Sequence, residues 1–310
     1  MKDFKSLLEL TNRFPTEKSC HKFLANHRWG DNVACPHCQS TEKIYRIESR
    51  NLYKCGKCVK QFSVKVGTIF EDSALPLQKW FMAIYLITAH RKGVSSLQLS
   101  RDIGVTQKTA WFMLHRIRYA VRSEAFDRTY GGTVEVDESY IGGKPRHGKI
   151  RNPNADGTAN KRGLGTTKTP VVGIVQREGG VVAQSVTDTR SHTLKAIIRK
   201  HVKPGSRVMT DEWRGYQSLK APEYFHHFVN HSEKEYVRGK IHTNTIESFW
   251  ALLKRSITGI YHQVSPKHLD KYVDECEFRW NQRHTKDPKR LDVLLWACNG
   301  RLTYKTLITK

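Results

Sequence analysis

Cys35-Pro-His-Cys38 is followed by sixteen residues and then by Cys55-Gly-Lys-Cys58. Two CxxC pairs at this separation suit a structural zinc site, because each pair bends the backbone so that two sulfurs face one point. Tyr45, Ile47, Leu52 and Tyr53 lie between the pairs and suit a small β-hairpin. The expectation is a zinc ribbon in which Cys35, Cys38, Cys55 and Cys58 hold one structural Zn²⁺, with His37 a bystander. A redox CxxC needs one pair, not two. The cysteine count is seven, an odd number, which argues against a secreted disulfide framework and for a reducing compartment. Cys20, Cys276 and Cys298 have no partner at ligand spacing and are expected to be buried thiols.

The chain carries 53 Lys and Arg against 29 Asp and Glu in 310 residues, a formal net charge of +24. Such a surplus attracts nucleic acid or an anionic membrane surface. The membrane is the poorer partner, since no apolar run approaches the ~20 residues needed to span a bilayer. Residues 1–20 mix Lys, Asp and Glu without an apolar core, so no signal peptide is expected.

Changes of pattern suggest four sections. Residues 1–72 hold short helices and the ribbon, and residues 73–128 read as helical. Residues 129–284 alternate strands and helices, and residues 285–310 form a helical C-terminal extension. In the second section, Ser95 or Ser96 can cap a helix that Gly104 ends, and Thr106 can cap another running to about Arg122. Ala110, Leu114, Ile117 and Val121 give this second helix an apolar stripe, and Lys108, His115, Arg116, Arg118 and Arg122 are assigned to its other face. A helix, a glycine turn and a basic helix fit a helix-turn-helix, with Lys108, His115 and Arg118 the expected DNA-reading residues. Within the third section, residues 142–170 contain six glycines, three prolines, seven Lys or Arg and a single acid. This stretch reads as a basic loop, a DNA arm that orders on binding through Lys144, Lys149, Arg151, Lys161 and Arg162.

The strands 132–137 and 206–211 each end in acids, Asp137-Glu138 and Asp211-Glu212. Successive strand side chains point to opposite faces, so pattern alone does not choose between neighbours. A third acid, Glu247, opens a helix whose Ile246, Phe249, Trp250 and Leu253 pack inward, and Lys254 follows two turns on. Three strands in a meander followed by alternating helices and strands imply an α/β mixed sheet with helices on its faces. Two carboxylates ~4 Å apart repel by roughly 4 kcal/mol at an effective dielectric of about 20. Acids converging in a protein that binds a polyanion therefore call for hard divalent cations, Mg²⁺ above all.

Asp137, Asp211 and Glu247, with 35 residues between the last two, resemble the DDE pattern of transposases and retroviral-type integrases. The ordered set CPHC…CGKC, QFSVKVGTIFEDS, TAWFMLHRIR, VDESYIGGK, KTPVVGIV, TDEWRGY and HTNTIESFWALLKR resembles the zinc-ribbon insertion-sequence transposases of bacteria over residues 20–284. That resemblance implies an RNase H-like catalytic domain and a metal-binding triad of Asp137, Asp211 and Glu247 rather than Glu138 or Glu212. It implies two Mg²⁺ or Mn²⁺ ions per active site, terminal inverted repeats and target DNA as partners, and a homo-oligomer, dimer or higher, in the synaptic complex. Lys254 is expected to contact DNA near the active site, with His242 and Asn244 shaping the approach to Glu247. A cytoplasmic, nucleoid-associated location follows from the same resemblance. Some relatives replace the third acid, whereas Glu247 is intact here. The competing readings are a non-catalytic DNA-binding regulator, which has no need of the triad, and a structure-selective nuclease of the same fold.

Overall fold

The computed structural model describes residues 4–122, 128–142, 168–217 and 219–309. Residues 143–167 of the expected basic arm, with Lys144, Lys149, Arg151, Lys161 and Arg162, lie outside the described residues, while Thr169 and Pro170 at its end are paired in a strand. The chain forms two units, residues 1–126 with 284–310, and residues 127–283.

In the first unit, α1 (Leu7–Arg13) and α2 (Glu17–Trp29) precede the ribbon. Thr16 and Ser19 cap the start of α2 reciprocally, each side chain accepting from the other's backbone N–H. The ribbon is an antiparallel sheet of β1 (Ile44–Ile47), β2 (Leu52–Cys55) and β3 (Gln61–Phe62), one strand more than a hairpin. Three helices follow: α3 (Leu77–Ala89), α4 (Ser96–Ile103) and α5 (Gln107–Val121). Ser95 and Thr106 accept from Gln98 N–H and Thr109 N–H and so start α4 and α5. Between them Gly104 ends α4 at φ +62°, a left-handed conformation that favours glycine. The C-terminal α9 (Asp287–Trp296) and α10 (Tyr304–Ile308) belong to this same unit.

The second unit is built on five strands, β4 (Thr133–Ile141), β5 (Thr169–Gln176), β6 (Val181–Ser185), β7 (Ser206–Thr210) and β8 (Tyr224–Phe228). They lie in the order β6-β5-β4-β7-β8. β5 is antiparallel to β4 and β6, while β4, β7 and β8 run parallel, so the sheet is mixed and RNase H-like. The alternating residues of β4 divide between two cores. Val134 and Val136 pack with Val172, Ile174, Leu194 and Ile198, the last two from α6 (Ser191–His201). On the other face Ile141, Val171 and Val175 pack with Ile246, Phe249 and Trp250 of α7 (Asn244–Ser256) and with Val273 and Cys276 of α8 (Leu269–Asn281). A short hairpin, β9 (Val237–Arg238) and β10 (Ile241–His242), leads into α7.

Candidate active site and metal centre

The β4–β7 ladder pairs only Thr133–Glu135 with Arg207–Met209. Beyond that point β4 continues beside β5 alone, leaving a fork at the carboxyl ends of two parallel strands, where open α/β sheets present ligand crevices. Asp137 and Glu138 line one side of this fork, and Asp211 follows the last residue of β7 on the other. One carboxylate oxygen from each of Asp137, Glu138 and Asp211 lies within 4.8 Å of the others.

Alternation directs Asp137 toward α7 and Glu138 toward the α6 face, and the hydrogen bonds agree. Trp250 Nε1 on α7 donates to Asp137 Oδ2 at 3.0 Å, and the buried Tyr216 hydroxyl donates to Glu138 Oε1 at 2.6 Å. Both carboxylates nevertheless reach Asp211, because no ladder fills the fork between them. Glu138, which the resemblance leaves out of the triad, thus stands in the same cluster as Asp137 and Asp211. Asp211 Oδ1 accepts from the Trp213 N–H at 3.0 Å. Glu212 is used elsewhere, accepting from His231 N–H, Ser232 N–H and the Ser232 hydroxyl.

Three acids so close cannot all ionise freely. Burial, and then the Asp211 charge, push Asp137 up to about 7, and burial pushes Glu138 up to about 8. Asp211 is raised by burial too. Glu247 stands outside the three-acid cluster, half exposed, with its Oε1 accepting from the Thr243 hydroxyl at 3.1 Å. Its charge still acts on Asp137, raising it. The donor set is all oxygen, as hard Mg²⁺ or Mn²⁺ requires, and an octahedron with bonds of ~2.1 Å brings its oxygens to within this separation.

The four ribbon cysteines are also gathered, one sulfur from each within 4.8 Å of the others. Cys35 and Cys58 sulfurs are 3.7 Å apart, and those of Cys38 and Cys55 are 3.6 Å apart. Tetrahedral zinc with Zn–S bonds of about 2.3 Å needs sulfurs roughly 3.8 Å apart, so the four thiols fit structural Zn²⁺. Both knuckles close in the same way: Cys35 N–H donates to Ser40 O, Cys55 N–H donates to Lys60 O, and Gln39 and Val59 take the left-handed conformation.

The DNA-reading assignment on α5 needs correction. His115 and Arg118 are buried, as is Arg116, whose guanidinium donates to Leu302 O, Ile69 O and Glu71 O. The C-terminal segment supplies Leu302, and Phe112 packs edge-on against Tyr304, so His115, Arg116 and Arg118 of the face read as solvated are interior, while Arg122 at its end is exposed. Lys108 in the first turn is exposed, its ammonium 5.3 Å from the centre of the Tyr304 ring. His242 is turned toward Glu135, with Nδ1 3.3 Å from Oε1, while Asn244 and Lys254 are exposed. A basic cleft that the sequence did not reveal lies between α2 and the ribbon, lined by Lys22, Asn26, Asn32, Lys43, Arg46 and Tyr53.

Residues 129–281 match the family model of the ISXO2-like transposase domain, and residues 15–61 match the transposase zinc-ribbon domain. A protein of Halobacterium salinarum described as an uncharacterized protein in transposable element ISH50 is 31% identical over 278 residues, 86% of this chain and 91% of that one. An uncharacterized transposase-like protein of Haemophilus influenzae is 36% identical over 117 residues, 38% of this chain and 92% of its own length. The crystal structure of the Mos1 strand transfer complex aligns at 13% identity over 96% of this chain and 97% of that chain, with a TM-score of 0.27. Among the described residues, no helix is long and apolar enough to cross a membrane.

Proposed function

The chain belongs to the ISXO2-like transposases that carry a transposase zinc ribbon, and on that premise we propose that it binds the terminal inverted repeats of its own element, cleaves the DNA there and joins the freed 3′-hydroxyl to target DNA. The observation that carries this reading is the convergence of Asp137, Glu138 and Asp211 at the fork of β4 and β7, in a chain of net charge +24. A protein that attracts a polyanion gains nothing from bare clustered acids; it gains from acids that hold cations against phosphate.

In this reading Asp137, Asp211 and Glu247 hold the metal, with Glu138 beside them on the Tyr216 side. Two bound Mg²⁺ or Mn²⁺ ions would supply Lewis-acid stabilisation of the attacking and leaving oxygens of an in-line displacement. The protein's own part is orientation. The Trp250 indole holds Asp137, the Trp213 N–H holds Asp211, and the Thr243 hydroxyl holds Glu247. DNA is gripped by Lys108, by Lys22, Lys43 and Arg46 of the cleft, by Lys254 two turns along α7 from Glu247, and by the basic stretch containing Lys149, Arg151, Lys161 and Arg162. The reaction takes place in the cytoplasm, in a homo-oligomer that pairs two element ends.

Asp137→Asn, Asp211→Asn and Glu247→Gln are expected to abolish cleavage and strand transfer on terminal-repeat DNA with Mg²⁺ or Mn²⁺. End binding measured in Ca²⁺ should stay within a few fold of wild type. Near wild-type cleavage by any of the three removes that residue from the triad.

A further inference from the structure

Glu135 is a fully buried carboxylate, two residues before Asp137 on the same face of β4. An acid is almost never buried so completely unless it is paired. Arg177 Nε donates to its Oε1 at 2.7 Å and the Thr245 hydroxyl to Oε1 at 2.9 Å. Its Oε2 accepts from Thr245 N–H at 2.8 Å and Ile246 N–H at 3.0 Å. Thr245 and Ile246 are the second and third residues of α7, whose own N-cap, Thr243, makes no side-chain cap. The orphan amides of that helix end are therefore satisfied by a strand residue far away in sequence, in the place where a negative charge also suits the helix dipole. Arg177 fastens the approach as well, donating to Lys240 O at 2.7 Å and His242 O at 2.9 Å.

The next residue of α7 after Ile246 is Glu247. Farther along, Trp250 reaches Asp137, and both Trp250 and Ile246 sit over Gly173, the residue of β5 paired with Asp137. A Cβ at Gly173 would lie 2.7 Å from the Trp250 ring, so the helix rests directly on the sheet there. With its middle resting on Gly173 and its first turn bound to Glu135, α7 has one position along β4.

We propose that Glu135, locked by Arg177, is a positioning residue that ties the first turn of α7 to β4 and so fixes Glu247 relative to Asp137. It touches neither DNA nor metal. It acts on the active site through the helix it caps, as the outer partners of metal ligands do. The inference rests on the reading of Glu247 as a metal-holding acid.

The test uses the full-length protein with its zinc bound and calorimetric titration of Mn²⁺, alongside Mn²⁺-dependent cleavage of plasmid carrying the element. Glu135→Gln should weaken Mn²⁺ binding by about tenfold, the scale typical of outer-shell substitutions. The same change made in a Glu247→Gln background should cost almost nothing further, because the residue it positions is already disabled. Thr245→Val removes only the hydroxyl donor and should give a smaller loss in the same direction, which keeps the test open if Glu135→Gln does not fold. Unaltered Mn²⁺ affinity in both Glu135→Gln and Thr245→Val overturns the proposal. So does a loss that is equally large in the Glu247→Gln background, which would mark Glu135 as a support of the fold at large. If Glu247→Gln alone leaves Mn²⁺ affinity and cleavage intact, the triad reading itself has failed, and this inference fails with it.

Discussion

Asp137 and Glu138 retain protons well above the ordinary carboxyl range, Asp137 up to about 7 and Glu138 up to about 8. Their unfolded counterparts ionise near pH 4. Between pH 4 and 8 the folded state thus binds more protons than the unfolded one, and stability falls as pH rises through that window. On the proposed reading of the cluster as a metal site, Mg²⁺ would take the place of the protons. The melting temperature of metal-free protein is expected to drop between pH 5 and 8, and the increase on adding Mg²⁺ to be larger at pH 8 than at pH 5. Calorimetry at both pH values checks this; equal Mg²⁺ increments would mean that the cluster does not hold the ion. Glu138 also marks a limit of reading single residues. Strand alternation correctly sends it to the face opposite Asp137, but whether two faces can meet depends on where the neighbouring strand stops, and that is set by the pairing of β4 with β7.

At the scale of elements, what the sequence made legible was local. Ser95, Gly104 and Thr106 start and stop helices through bonds within three or four residues, and the two CxxC knuckles likewise close on themselves. The strand bearing Asp137 follows the two-residue alternation of Val134 and Val136. What stayed hidden depends on partners distant in sequence: the cap that Glu135 provides for α7, and the cover that Leu302 and Tyr304 provide for α5. An amphipathic stripe shows one buried face but cannot show that a later segment buries another. Two substitutions test the elements themselves. Gly173→Ala places a methyl against Trp250 and Ile246, forcing α7 outward. It should cost about 1–3 kcal/mol, the usual range for overpacking, and reduce cleavage beyond what the lost stability explains. Denaturant unfolding with a parallel cleavage assay measures both. Cys58→Ser opens the four-thiol site, and since zinc binding contributes directly to folding, the variant should lose its zinc by elemental analysis and its amide protection over residues 30–65. Zinc retained at the wild-type ratio would place the metal elsewhere.

For the whole molecule, the consequential fact is the order in which the chain visits its units. It leaves the first unit at residue 126, completes the sheet unit by residue 283, and returns with residues 284–310. The returning segment is no appendage. Arg116 on α5 is buried with its guanidinium on Leu302 O, Gly300 N–H donates to Gly67 O, and Ile69 N–H donates to Cys298 O. Removing residues 284–310 deprives a buried guanidinium of one acceptor and uncovers the α5 face beside Tyr304. Breaking buried charge-assisted hydrogen bonds while exposing apolar surface ranks among the few changes that cost several kcal/mol, a large share of the ~5–15 kcal/mol that holds a domain together. Among the described residues, the two cores and the acid cluster of the second unit are supplied by residues 127–283 alone. A fragment of residues 127–283 is therefore expected to fold cooperatively and to bind Mn²⁺ at the acid cluster, while a fragment of residues 1–126 should unfold at a markedly lower temperature than the same region in the full chain. Adding a peptide of residues 284–310 in trans should restore part of that loss. If residues 1–126 melt alike with and without the C-terminal segment, the buried Arg116 gains its stability from Ile69 and Glu71 alone, and the segment only covers a helix that stands without it.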